Sequence, residues 1–233
     1  MEFKTDCGGE TDPNKPQEQI KTIIVTAAFC VVELCLTFIF GFAASLKSVP
    51  LRIAACCAVY AAMAAAVFSA CRAEKKSVKD LGFCRRNPHI QILIGIGLAV
   101  GLSFIIGALP ILIGGPGASL IGGKQTNAAN IVYSIATDLI FVGTVEELIF
   151  RGFIQTRISG LTNRKWIGVL TAAALFGFWH IVNGSWIQVP FTFLIGCAFG
   201  FCRAYLKNCT TASVMLAHGL YDSLLIVIAI VLL

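Results

Sequence analysis

Seven long apolar stretches dominate this sequence, at about residues 22–46, 53–71, 90–113, 131–158, 166–183, 186–205 and 214–233. A helix needs about 20 apolar residues to cross a hydrocarbon core of roughly 30 Å, and in lipid its backbone polar groups must find partners within the segment. The chain is therefore read as all-α: a polytopic transmembrane helix bundle of about seven spans. The stretch 131–158 would be about 42 Å long if straight, at ~1.5 Å per residue. It tilts, breaks or counts as two pieces, and in the last case there are eight spans. Composition agrees. Hydrophobic residues make up 57% and charged residues 13%, the latter about half of the roughly 25% usual for soluble domains. A water-soluble globule of this size has no means of hiding so much apolar surface. A soluble enzyme, a disordered chain and a nucleic-acid-binding domain are excluded.

The positive charges order these spans. Lys and Arg counts in the eight segments flanking them, with Arg157 and Arg203 near span ends counted in the loops that follow, run 3, 2, 6, 1, 3, 0, 2 and 0, so alternate segments hold 14 and 3; the remaining positive, Arg151, lies inside a helix. Cytoplasmic loops are the ones enriched in Lys and Arg. The N-terminus and the basic loop after the second span are thus expected in the cytoplasm, and the C-terminus outside. Residues 1–21 read as a polar cytoplasmic tail rather than a signal peptide. Residues 22–79 supply two N-terminal transmembrane helices and the basic loop, and residues 80–233 form the core that carries the chemistry. The net charge of +6 then reflects orientation against the lipid bilayer, with no nucleic-acid partner. The ten cysteines lack paired metal-binding spacing and read as reduced thiols packed as small hydrophobes. The glycine-rich segment 114–130 has no preceding strand and no Lys-Ser/Thr pair, so it reads as an outside loop rather than a phosphate cradle.

Ionisable side chains inside a span cost several kcal/mol unless they meet a partner or a wet cavity. Here they are Glu33, Asp138, Glu146, Glu147, Arg151, His180, His218 and Asp222. Glu147 and Arg151 stand at i and i+4, spaced to pair along one helix face. Glu146 lies about 100° round the helix and is left tunable as a general base. Phe176 and His180 share a face at i, i+4, and so do His218 and Asp222, where a carboxylate can fix the imidazole tautomer. Taken singly, each has an ordinary structural reading: an intrahelical salt bridge, an interhelical hydrogen bond, a local polar pair. Together they form a hydrolytic constellation in which a carboxylate and a His activate water and a second His supports the oxyanion. The same donors also suit a divalent metal such as zinc, held by Glu146, His180 and His218.

The order Glu-Glu-x-x-x-Arg, Phe-x-x-x-His, His-x-x-x-Asp resembles the CPBP intramembrane protease family, the CAAX-protease and bacteriocin-processing group also called the Abi domain. The likeness covers about residues 80–225, is most specific over residues 146–152, and includes Leu81-Gly82-Phe83 ahead of a basic pair. It implies that Glu146 and His180 activate the attacking water, that His218 and Asp222 shape the oxyanion site, that Arg151 holds Glu147, and that Phe176 packs the site. It implies a metal-free glutamate mechanism ahead of a metal-dependent one. The family's last motif position is often Asn; here it is the acid Asp222, which serves by orienting His218 or by donating when protonated.

The expectation is an intramembrane endopeptidase acting on membrane-embedded or lipidated substrates near the cytoplasmic face, in the membrane of a bacterial cell. The competing reading is a non-catalytic immunity or partner-stabilising protein, or a small proton-coupled transporter using Glu146 and His180. Measured from the cytoplasmic helix ends, Glu146 lies 12 residues in, His180 14 and His218 about 5, or roughly 18, 21 and 8 Å. His218 reaches the others only if its helix tilts, kinks or begins earlier than residue 214.

Overall fold

The computed structural model describes residues 16–114, 126–183, 186 and 188–233. Most of the expected cytoplasmic tail and most of the glycine-rich loop lie outside the described residues. Among those described there is no strand, and the chain forms seven helical rods: α1 (Pro16–Ala44), α2 (Val49–Ala73), α3 (Pro88–Leu112), α4 (Ala128–Thr162), α5 (Lys165–Asn183), α6 (Gln188–Tyr205) and α7 (Thr211–Leu232). Each apolar stretch coincides with one rod, its ends displaced by a few residues. Five rods, α1 to α4 and α7, are long and apolar enough to cross a membrane, and α5 carries a shorter apolar run over Lys165–Ile181. This is an integral membrane protein built as a helical bundle.

The long stretch at 131–158 lies within one rod of 35 residues. Its interior departs from α geometry: Asp138–Glu146 and Leu148–Gln155 are π-helical, and so is Ser103–Ala108 within α3. In such turns the backbone bonds five residues back instead of four. Side chains follow the same register. Thr144 Oγ1 donates to the Leu139 carbonyl (3.4 Å), and Thr156 Oγ1 donates to the Arg151 carbonyl (3.2 Å). Glu147 stands where the two π segments of α4 meet.

Contacts divide the chain into two compact units, each made of two separated pieces of sequence: Met1–Cys84 with Leu148–Leu206, and Arg85–Glu147 with Lys207–Leu233. In the first unit, α1 buries Thr22, Thr26, Phe29, Glu33 and Thr37, a stripe at helical spacing, while Ile24, Val31, Phe38 and Phe42 are exposed. Small and polar residues inside with apolar residues outside is what lipid solvation selects. Phe29 meets Phe153 with ring centroids 4.3 Å apart. Arg157 Nε donates to Glu74 Oε2 at 2.6 Å, with both side chains 2% exposed, and the guanidinium lies over the Phe153 ring at 4.8 Å. Arg157, counted from sequence as a loop charge, is therefore an interior residue.

In the second unit α7 is started by a capping box: Thr210 Oγ1 accepts from the Ser213 amide, and Ser213 Oγ accepts from the Thr210 amide. The helix begins at Thr211, three residues before the expected start. Glycines let its neighbours close in. A Cβ on Gly95 of α3 would lie 2.8 Å from the Ser213 carbonyl oxygen, and one on Gly219 would lie 2.8 Å from the Asp138 carbonyl oxygen of α4. One expectation about cysteine is corrected. Cys84 is disulfide-bonded, whereas the eight other described cysteines are free. The sequence argument asked only about metal spacing, and a single bridge depends on which two thiols meet in space.

Candidate active site

The α4–α7 contact in the second unit places a histidine between two acids. His218 Nδ1 is 2.9 Å from Glu147 Oε1, and its Nε2 is 3.3 Å from Asp222 Oδ2. The Asp222 contact is the i, i+4 pair read from the sequence. The Glu147 contact joins residues 71 positions apart, which no local pattern reports. Carboxylates accept, so both contacts are hydrogen bonds only with a proton on each, either on an imidazolium or on one protonated carboxyl. The two acids differ in setting: the Asp222 side chain is 29% exposed, and that of Glu147 is fully buried. Glu146 is buried beside it. Asp138 completes the set, within electrostatic reach of His218, Asp222 and Glu146. The sequence reading noted Asp138 as an ionisable group inside a span but left it out of the site. Its position two turns before Glu146 was the available signal.

The first unit holds Arg151, Phe176 and His180. Arg151 is fully buried, with its guanidinium over the Phe176 ring at 4.4 Å and over the Phe199 ring at 5.7 Å. A Cβ on Gly196 would lie 3.2 Å from Arg151 Nη2, so glycine leaves room for the charge. Desolvated cation–π contact is among the few ways to hold a cation in so apolar a place. Phe176 also meets Phe150 edge-on at 5.1 Å and His180 edge-on at 4.7 Å. His180 is half-buried, and its Nδ1 is 2.9 Å from the Phe176 carbonyl oxygen, one turn back. A carbonyl can only accept, so Nδ1 carries the hydrogen and Nε2 presents its lone pair. That is the tautomer a general base needs.

The structure thus brings together Glu147, His218 and Asp222 in one unit, and Arg151, Phe176 and His180 in the other. Glu146 belongs to the former and His180 to the latter. Both ring nitrogens of His218 are engaged by carboxylates.

Comparison with known proteins gives one family. Residues 128–224 match the family described as Type II CAAX prenyl endopeptidase Rce1-like. No curated protein and no solved structure matches the chain. The matched segment contains all seven residues singled out from the sequence motifs, from Glu146 to Asp222.

Proposed function

We propose that this chain, a member of the Rce1-like CAAX protease family through residues 128–224, is an intramembrane endopeptidase whose core spans residues 80–233. It hydrolyses peptide bonds of membrane-embedded or lipidated substrates near the cytoplasmic face of a bacterial cell membrane, which it crosses several times with its N-terminus inside. The observation that carries the reading is the Phe176 carbonyl on His180 Nδ1, which leaves Nε2 as a base.

In this mechanism Glu146 and His180 activate one water. The water oxygen attacks the scissile carbonyl carbon, and its proton passes through the base to the leaving amine. General acid–base transfer of this kind is worth about 10²–10⁴-fold in rate. The Phe176 ring holds the imidazole plane. His218 and Asp222 serve the oxyanion: the Asp222 contact is the longer of the two on His218 and the more exposed, so it is the one to yield. His218 Nε2–H then donates to the developing negative oxygen, with Glu147 retained on Nδ1. Hydrogen-bond donors fixed where negative charge develops lower the barrier of such reactions strongly. Arg151 holds the aromatic cluster together.

The test is cleavage of a membrane-associated peptide in proteoliposomes containing the wild-type chain, Glu146→Ala or His180→Ala. The wild type cleaves and both variants, inserted at equal levels, do not. Unchanged cleavage by either variant removes its residue from the mechanism.

A further inference from the structure

The catalytic reading leaves unused a polar cavity of about 340 Å³ in the first compact unit. Glu18 and Lys21 of α1, Glu74, Lys75 and Lys76 at the end of α2, and Gly160 of α4 line it. Its depth follows from the chain. The apolar run of α1 starts at residue 22 and that of α2 stops at residue 71, and Ile23 and Ile24, just inside, are exposed. The cavity therefore lies where hydrocarbon gives way to lipid head groups. Its charge is lopsided. Glu74 is already matched by Arg157, so Glu18 alone stands against three lysines. Lys21 and Lys75 are exposed and Lys76 is half-buried, and among the described residues none of the three pairs with a carboxylate. The turn that carries two of them is unusual. Lys75 N–H donates to the Arg72 carbonyl (3.0 Å) and Lys76 N–H to the Cys71 carbonyl (2.8 Å), the pattern of a helix end whose next residue is left-handed and normally glycine. Here that residue is Lys75, at φ +58°. Glycine would adopt this conformation without strain; the chain instead places a cation there, on the cavity wall.

We infer that this cavity binds the head group of an anionic phospholipid, with Lys21, Lys75 and Lys76 around its phosphate. Lysine ammonium groups bind phosphate as point charges with several donors. The Lys and Arg counts assign this end of the chain to the cytoplasmic leaflet, whose anionic lipids attract such residues. Glu18 narrows the class further. Its carboxylate opposes a second negative charge and accepts from a hydroxyl, so a singly charged phosphodiester with a hydroxylated head, such as phosphatidylglycerol, fits better than a phosphate dianion. A choline head cancels the charge and has no hydrogen to donate. The space is about ten times the share of one water molecule, about 30 Å³, which is room for such a head. The site does not depend on the peptidase reading, because none of the proposed catalytic residues lines it.

The full-length protein in detergent micelles is titrated with phosphatidylglycerol and, separately, with phosphatidylcholine of the same acyl chains, and bound lipid is counted by native mass spectrometry. Expected is one phosphatidylglycerol bound at concentrations about tenfold or more below those at which phosphatidylcholine binds. Lys75→Gly weakens that binding about fivefold, the worth of one lysine at an anionic surface. Its Tm stays at or above that of the wild type, because glycine relaxes the left-handed residue. Lys79→Gln removes the same charge from the same connection, at an exposed residue outside the cavity, and leaves binding unchanged. Soluble glycerol 1-phosphate at the concentration of the lipid does not displace it. Equal affinity for the two lipids overturns the proposal, and so does unchanged binding by a folded Lys75→Gly. An equal loss in Lys79→Gln reduces the effect to general surface charge and overturns the site. Displacement by glycerol 1-phosphate makes the ligand a free phosphate and overturns the lipid assignment.

Discussion

Replacing Gly219 by alanine puts a methyl group 2.8 Å from the Asp138 carbonyl oxygen and 2.9 Å from the Leu139 Cα. Both obstacles are backbone, so no side chain can swing aside. Ordinary contact begins near 3.4 Å, and α7 must move off α4 by about 0.6 Å. His218 is the adjacent residue on α7, and Glu147 is on α4. The same shift lengthens the His218–Glu147 contact from 2.9 Å to about 3.5 Å, the outer limit of a useful hydrogen bond. Overpacking of this kind costs about 1–3 kcal/mol. At about 2–4 °C per kcal/mol for a chain of this length, Tm falls by about 2–12 °C. Turnover falls by about tenfold or more, because misplacement on the ångström scale costs up to about 10²-fold. The assays are thermal unfolding in detergent and peptide cleavage in liposomes. Gly97→Ala is the control: a Cβ there meets nothing within 4 Å, and alanine is about 0.5–1 kcal/mol better than glycine inside a helix. Wild-type stability and turnover in Gly219→Ala would refute the claim that the glycine crossing sets the His218 geometry.

The buried Arg157–Glu74 pair makes a second prediction. Arg157→Met alone leaves Glu74 buried without its cation and destabilises by about 3–5 kcal/mol, whereas Arg157→Met with Glu74→Leu recovers most of that loss; chemical denaturation of the two variants gives the comparison. Phe176→Leu removes the ring under Arg151 and beside His180, costing about 2 kcal/mol of cation–π attraction and lowering kcat through a freer imidazole. Loss of stability with no change in kcat would confine Phe176 to packing.

The bundle was legible because lipid imposes a simple rule: every spanning segment must be long, apolar and helical. Each of the seven stretches forms a helix where expected, and five of these helices are long and apolar enough to cross a membrane. The site was legible only in part. Pairs within one helix, such as His218 with Asp222 and Phe176 with His180, follow from spacing. Spacing along one helix says nothing of partners on other helices. The hydrogen bond between His218 and Glu147 joins two rods, and the turns on either side of Glu147 are π. Nothing in a sequence announces a π turn, since the change of one residue per turn arises from packing. Arg157 was misread for a related reason. The apolar run fades near residue 158 while the helix continues to Thr162, so a buried cation looked like a loop charge. Glu33 was visible as an anomaly, but alone on its helix it suggested no chemistry.

The central claim is that an intramembrane carboxyl, Glu146, works with His180 on water. The most direct measurement is turnover of a saturating membrane-associated peptide by Glu146→Gln, a nearly isosteric change that removes the base and keeps the shape. With Tm matched to wild type, kcat should fall by about 10²–10⁴-fold and no other cleavage site should appear. A kcat within about threefold of wild type contradicts the account.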